Sequence, residues 1–390
     1  MTVPPSSLSD VPPWLHAVSA YDVFDVDAVR VSPLGDGLIN ETFLVEAQDP
    51  AAQTQRAVLQ RVSPIFGRAV HEDIEAITAH LAQKGHVTPR LLRTPGGELS
   101  VVLSGPHVAP ADVGSVWRLL DFIPGHCYPR MTPTLAAPAG RLVGRFHAAV
   151  ADLQHSFHFT RPGAHVLSQH VDKLKHAIAD AQRADFVPPE SPIPAAFFPL
   201  ADALLRHADT IELTDAYVAT LPRRICHGDL KISNLRFDDA GHGLCLLDLD
   251  TLGLLPLPLE LGDALRSWCN TSPRGEDSAQ AHLDMTLFEE ALHGYADVAA
   301  GLLNPDERAA LVAGLERIAF QLSVRFAVDV VRQNYFRFRV DPQRHPTRAT
   351  HNLLRAQGQL SLVQAVTQAR STLESIVQRL FASSSATRNS

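Results

Sequence analysis

The sequence predicts an α+β protein of two lobes, a β-rich first third and a mainly helical remainder. Three observations predict it. Short β-type runs separated by turn signals fill residues 31–120. From Pro133 onward, Ala- and Leu-rich stretches at helical spacing take over. Within that helical part, two short apolar strands bracket a loop crowded with polar residues, Ile225 to Asn234.

Thr42 to Val45 and Ala57 to Gln60 are β-type runs, with the turn signal Gln48-Asp49-Pro50 between them. His71 to Gly85 is helical, with Ile74, Ile77, His80 and Leu81 at helical spacing. A second hairpin turns at Pro95-Gly96-Gly97, and Val116 to Ile123 ends the strand set at Pro124-Gly125, so the first third reads β, β, α, β, β. Helices are expected at Ala136 to Leu153, Val166 to Ala184 and Pro199 to Leu221, with Pro188 to Pro194 as a connector. Strands follow at Arg224 to Cys226 and Leu244 to Leu247. Leu261 to Phe381 is nearly all helical, broken at Asn304-Pro305 and Pro342 to Pro346.

With 390 residues, 45% of them hydrophobic, the chain can bury a substantial core. The formal net charge of -8 argues against non-specific nucleic-acid binding, which needs a positive field, but not against one phosphorylated ligand in a locally basic site. The four cysteines, Cys127, Cys226, Cys245 and Cys269, show no CxxC spacing, which disfavours a disulfide framework or a zinc site. Met1 to Asp27 lacks a basic segment followed by an apolar run. Leu244 to Leu261 is interrupted by Asp248, Asp250, Pro256, Pro258 and Glu260 and cannot cross a bilayer. The expectation is a cytoplasmic protein that needs no nucleic acid, membrane or obligate protein partner.

The chemistry concentrates in Ile225-Cys226-His227-Gly228-Asp229-Leu230-Lys231-Ile232-Ser233-Asn234, followed by Leu246-Leu247-Asp248-Leu249-Asp250. Phosphoryl transfer to a hydroxyl needs a carboxylate to orient the attacking group and take its proton, oxygen ligands for magnesium, and alignment of the two substrates. Asp229 lies in a loop after a strand, Asn234 follows in the same loop, and Asp248 ends the next apolar strand. That set offers a base and two oxygen ligands for a hard cation.

His227-Gly228-Asp229 with Asn234, then Leu247-Asp248, resembles the aminoglycoside phosphotransferase and choline kinase superfamily, whose fold is that of the protein kinases. The resemblance implies Asp229 as catalytic base, Asn234 and Asp248 as Mg²⁺ ligands, and ATP as co-substrate. A finer resemblance, to the N-acetylhexosamine 1-kinase branch, runs from about residue 31 to about residue 365. It rests on Gly35 to Thr42, Leu59-Gln60-Arg61-Val62, Trp117-Arg118-Leu119 with Phe122 to Gly125, Gly144 to His147, Lys231 to Asn234, Asp248 to Thr251, Gly262 to Arg266, and His351 to Leu353 with Arg355. It implies phosphorylation of the anomeric hydroxyl of a sugar. One departure stands out: that branch often has Asn before the catalytic Asp, where this chain has Gly228.

On this reading residues 1–30 form an N-terminal extension, 31–123 the phosphate-binding N-lobe, 124–382 the helical C-lobe with catalytic loop and acceptor site, and 383–390 a polar tail. Gly35, Gly37 and Asn40 form the glycine turn over the nucleotide phosphates, although a plain hairpin turn at Asp36-Gly37 would read the same. Asp121 to Ile123 is the hinge at the adenine. Gln60 occupies the position where a phosphate-binding lysine is expected. Gln60 itself, Arg61 round a bulge, or a cation from elsewhere are the alternatives, and Lys231 is a candidate for neutralising the transferred group. Glu72 or Glu75 is the candidate acid on the following helix, and Asp263 a brace for the catalytic loop. Arg266, Arg332, Asn334 and Tyr335 fall in segments that the resemblance brings to the acceptor. Arg325, Arg332, Arg337 and Arg339 form a basic cluster there, which disfavours a polycationic acceptor.

The reading is therefore an ATP- and Mg²⁺-dependent kinase acting on a small-molecule hydroxyl, most simply the anomeric hydroxyl of a hexose or N-acetylhexosamine. The rivals are an aminoglycoside, choline-like or homoserine-like acceptor, and a kinase-shaped nucleotide-binding protein without activity, for which Gln60 is the best argument. Glycoside hydrolysis would not call for the Asn234 spacing.

Overall fold

The computed structural model describes residues 12–26, 28–35, 39–48, 54–336, 338 and 340–382. The chain divides into two compact units. The first holds the residues up to Pro124 together with Asp152–Thr160, and the second holds Gly125–Ala151 and everything from Arg161.

The first unit contains α1 (Pro13–Ser19), β1 (Arg30–Pro33), β2 (Glu41–Gln48), β3 (Thr54–Val62), α2 (Val70–Gln83), β4 (Val101–Val102) and β5 (Val116–Asp121). The strands form an antiparallel sheet in the order β1-β2-β3-β5-β4. Alternation decides its faces: Val45, Ala57, Leu59, Trp117 and Leu119 are buried together, and Ala17, Val18 and Tyr21 at the end of α1 pack on them. The expected hairpin at 95–97 has its turn, with Gly97 N donating to Thr94 O at 2.8 Å, but no strand pair flanks it. The strand that returns to β5 is the two-residue β4, joined to it through residues 103–115.

On α2, Ile74, Ile77 and Leu81 face inward as their spacing predicts. Asp73 is buried with them at 1% exposure. Its carboxylate accepts from the backbone N–H groups of His158 and Phe159, each at 2.9 Å, and His155 Nε2 lies 2.8 Å away. A buried carboxylate is tolerated only with such compensation. These bonds tie residues 152–160 to α2.

The second unit contains α3 (Pro133–Val150), α4 (Leu167–Ala181), α5 (Phe197–Ala208), α6 (Asp215–Thr220), β6 (Arg224–Cys226), β7 (Leu235–Phe237), β8 (Gly243–Leu246), β9 (Gly253–Leu255), α7 (Leu257–Trp268), α8 (Met285–Ala299), α9 (Pro305–Ala309), α10 (Leu311–Arg332) and α11 (Arg348–Ala382). The helix expected over Pro199 to Leu221 is two helices. The second begins at Thr214, whose side chain caps Tyr217 N. The break at Asn304-Pro305 is a helix start closed by a reciprocal Asn304–Glu307 capping box. β7 and β9, absent from the sequence reading, pair with β8 and β6 and make two small ribbons. At three residues each, they are too short to show a period.

α7 and α10 cross with their backbones in contact. A Cβ on Gly314 would lie 2.1 Å from Pro258 O, and one on Gly262 would lie 2.6 Å from the carbonyl carbon of Gly314. Only glycine permits that approach. It fixes the position of α7, the helix that carries Glu260, Asp263 and Trp268.

Candidate active site

β6 leads directly into the polar loop, and four groups hold that loop in shape. Glu260 on α7 accepts from His227 N at 2.7 Å and from Gly228 N at 2.9 Å. Asp263 accepts from Leu230 N at 3.2 Å, and Trp268 Nε1 donates to Leu230 O at 2.7 Å. Thr251 Oγ1 donates to His227 O at 2.7 Å. His227 is fully buried, with Nε2 2.8 Å from Leu247 O and Nδ1 accepting from Asp229 N at 3.3 Å. A ring between a carbonyl and an amide N–H carries its proton on Nε2. His227 thereby links the chain before Asp229 to the chain before Asp248.

Asp229 is engaged through one oxygen. Lys231 Nζ donates to its Oδ2 at 2.9 Å, and Asn234 Nδ2 donates to the same oxygen at 3.1 Å and to Asp229 O at 2.9 Å. Oδ1 has no hydrogen-bond partner among the described residues. Burial opposes the charge of Asp229, but the Lys231 ammonium outweighs it and holds the carboxyl below its ordinary value. Burial likewise opposes the charge of Lys231, whose pKa Asp229 and Asp248 nonetheless push up to about 12.

Asn234 is 5% exposed, and its bonded Nδ2 leaves the amide oxygen Oδ1 as its remaining acceptor. The ladder of β7 and β8 continues into Leu247 N→Asn234 O at 2.8 Å, which brings Asp248 beside Asn234. Asp248 adopts φ +61, a left-handed conformation uncommon for residues other than glycine and often found where function demands it. An amide oxygen and a carboxylate on neighbouring chain segments are the hard donors that suit Mg²⁺. Asp250 is fully buried behind them.

Gly228 has φ +80, and a Cβ there would lie 2.5 Å from Thr251 O. This is why glycine precedes Asp229 in this chain. Gly228→Ala should therefore lower kcat more than about tenfold and cost about 1–3 kcal/mol, by strain at a positive φ. Wild-type turnover and wild-type thermal unfolding in that variant would show that the loop has room to shift.

In the first unit, Gly35 has φ +70, and Gly37 lies outside the described residues. Asn40 is 5% exposed and its Oδ1 accepts from Ser63 N at 2.9 Å. Gln60 is held on both ends, donating to Thr42 Oγ1 at 3.1 Å and accepting from Arg118 Nε at 2.8 Å. The β3–β5 register runs without a bulge, so Arg61 faces away from Gln60 and meets Asp112 at 3.0 Å. Asp121, whose N donates to Arg90 O at 2.9 Å, has its pKa raised by burial, and Ile123 is half-buried. Glu75 bonds Arg93 at 2.9 Å, while the Glu72 side chain is 61% exposed.

Of the residues expected at the acceptor, Arg266 is held between Asp263 and Glu276, and Arg332 donates to Asp180 at 2.6 Å. Asn334 and Tyr335 are exposed. Arg337 and Arg339 lie outside the described residues.

Residues 30–297 match the family described as APH, the phosphotransferase enzyme family. The chain belongs to that family. Solved structures share its protein-kinase-like fold along nearly the whole length. An aminoglycoside phosphotransferase from Alicyclobacillus acidocaldarius is 17% identical, with 97% of this chain and 98% of that one covered and a TM-score of 0.59. An ethanolamine kinase from Plasmodium vivax is 11% identical, with 88% and 87% covered and a TM-score of 0.57. A microcompartment-associated aminopropanol kinase is 16% identical, with 93% and 98% covered and a TM-score of 0.57. The architecture is the α+β one expected, and the protein is a member of the phosphotransferase enzyme family.

Three residues of this phosphotransferase escaped the sequence reading. Glu260 is a lone acid in a leucine-rich run, and nothing local marks it as a clamp. Asp329 accepts from the N–H groups of Asn334, Tyr335 and Phe336 at 2.9–3.0 Å and shapes the segment after α10. Arg161 lies in a segment with no motif, yet its Nη2 is 3.5 Å from Thr251 O. Among the described residues no helix is long and apolar enough to cross a membrane.

Proposed function

We propose that this phosphotransferase moves the γ-phosphoryl group of ATP to a hydroxyl of a sugar, at the anomeric position of a hexose or N-acetylhexosamine. The observation that carries the reading is the Asp229 carboxylate, with Oδ2 bound by Lys231 and Asn234 and Oδ1 left for an incoming hydroxyl. Asp229 orients that hydroxyl and accepts its proton as the oxygen attacks phosphorus. Lys231 offsets the negative charge around the transferred group. Asn234 and Asp248 would hold Mg²⁺, which neutralises and aligns the phosphates. Gly35, Asn40 and Gln60 are the candidates for the nucleotide phosphates, with Asp121 to Ile123 for the adenine. As a consumer of ATP the enzyme would work in the cytoplasm.

A second reading keeps the mechanism and takes a small amino-alcohol, in line with the ethanolamine and aminopropanol kinases that share the fold. ATP consumption over free sugars, amino sugars, aminoglycosides and amino-alcohols, with and without Mg²⁺, separates the two. Magnesium-dependent turnover of a free sugar to an acid-labile phosphate supports the first, and turnover restricted to an amino-alcohol discards it. Asn234→Ala should raise the Mg²⁺ concentration for half-maximal rate by about tenfold, in keeping with the loss of one ligand. An unchanged metal dependence would remove Asn234 from the ligand set.

A further inference from the structure

Arg161 and Arg325 of the second unit have no carboxylate within salt-bridge distance among the described residues. Four other arginines of this unit are ion-paired: Arg266 with Asp263 and Glu276, Arg317 with Asp215, Arg332 with Asp180 and Arg355 with Asp277.

Arg161 lies against the loop that ends in Asp229. A Cβ on Gly228 would sit 3.3 Å from its Nη2, the nitrogen that approaches Thr251 O. Arg325 reaches the same neighbourhood from α10. Gln321 Nε2 donates to Ala164 O at 3.0 Å, so that face of α10 packs on the segment after Arg161. Arg325 is one turn further along the same face. Its Nη2 donates to Tyr335 Oη at 3.0 Å, and its guanidinium lies 5.3 Å from the Tyr335 ring centre and 5.5 Å from that of Phe336.

The electrostatics agree with this placement. Solvent still reaches Arg161, yet burial pulls its pKa below the ordinary value, Arg325 adds to that, and Tyr335 and Asp229 oppose it. His165, between the two arginines in sequence and in field, is pushed down to about 3 by burial first and then by Arg161 and Arg325. It stays neutral, and its buried Nδ1 has no hydrogen-bond partner. The guanidinium contacts of these two mutually repelling cations are a carbonyl, a hydroxyl and aromatic faces, with Asp229 and Asp250 acting on Arg161 only through the field, so both gain from a directly bound anion. The planar guanidinium fork matches a carboxylate or a phosphate.

We propose that the acceptor alcohol carries an anionic group, a carboxylate or a phosphate monoester, which Arg161 and Arg325 hold while its hydroxyl meets Asp229. The proposal rests on the phosphotransferase reading and narrows its acceptor: a uronate or a sugar phosphate can keep the anomeric hydroxyl. In the reaction the hydroxyl gives its proton to Asp229, the new O–P bond forms, the bond from the γ-phosphorus to the β-bridging oxygen breaks, and ADP leaves. The anionic group binds and is unchanged.

The test uses the full chain and two matched sets, glucose with glucuronate and glucose 6-phosphate, and glycerol with glycerate and glycerol 3-phosphate. ADP release is measured with Mg²⁺ present. The expected result is at least about a tenfold higher kcat/KM for an anionic member than for its neutral counterpart, the scale of one charge-assisted contact. The carboxylate and phosphate arms tell the two sources apart. Arg161→Gln and Arg325→Gln should each raise KM for the anionic acceptor by about tenfold or more, with KM for ATP little changed and Arg325→Lys intermediate. Equal use of neutral and anionic members overturns the proposal. So does an equal loss of kcat on both, which would assign Arg161 to the transferred phosphoryl group. If nothing is turned over, calorimetry with glucuronate, glycerate, glucose 6-phosphate and inorganic phosphate decides. Anion binding that both Gln variants abolish sustains the site and sinks only the proposal that these alcohols are the acceptors, whereas no anion binding sinks the site.

Discussion

Asp229→Asn should lower kcat by about 10³-fold, within the usual range for a lost general base, and leave ATP affinity within about twofold. The substitution keeps an oxygen for Lys231 and Asn234 but replaces the proton-accepting carboxylate with an amide. Steady-state ADP release and nucleotide calorimetry on the same preparation read both effects. A variant retaining roughly a tenth of wild-type kcat would show that Asp229 is not the base. The pH profile gives an independent check. Burial raises the Asp229 pKa, but Lys231, with His227 and Arg266, brings it below the ordinary carboxylate value. The carboxylate is therefore ionised at neutral pH, and the acid limb due to this group should appear only as pH falls below the usual carboxylate range. An acid limb near neutrality would have to come from another group.

Glu260→Ala should cost about 3 kcal/mol of stability and reduce kcat as well, because one buried carboxylate satisfies two amides just ahead of Asp229. Burial opposes its charge, and His147 and His227 stabilise it, so its pKa lies below the ordinary value. Removing it leaves the N–H groups of fully buried His227 and partly buried Gly228 without their acceptor. Glu260→Gln should be intermediate, since its amide offers one acceptor and turns one donor toward a donor. Thermal unfolding and kcat on both variants check this. A Glu260→Ala protein with wild-type Tm and kcat would mean that the two amides find other acceptors and that the clamp is dispensable.

Helices of three turns or more and strands of two or more full alternations were legible in the sequence. α2 announces itself through Ile74, Ile77 and Leu81, and β3 through its alternation between Ala57, Leu59 and the residues between them. α1 spans seven residues, and β7 and β9 three each, so no period can develop in them. Long-range partners create these elements: Trp117 and its neighbours for α1, β8 and β6 for the two strands. The turn at 95–97 shows the opposite failure. Its glycines predict the turn correctly, but a turn alone cannot supply two strands to flank it.

The sequence by itself determined the reaction class, because Asp229, Lys231, Asn234 and Asp248 share one short strand-loop-strand segment whose geometry is local. It also marked Gln60 as an unusual occupant of its position. Only the tertiary structure decided how that segment is held and what surrounds Asp229. Glu260 acts from a different element, and Gly228 is required by a carbonyl, Thr251 O, that comes from beyond Asp248. Arg325 was visible in the sequence only as one of a basic cluster, Arg161 carries no motif and lies far from it in the chain, and folding brings their charges to one neighbourhood. A local sequence pattern records bonds between near neighbours. The field at an acceptor site is a sum over groups that only packing brings together.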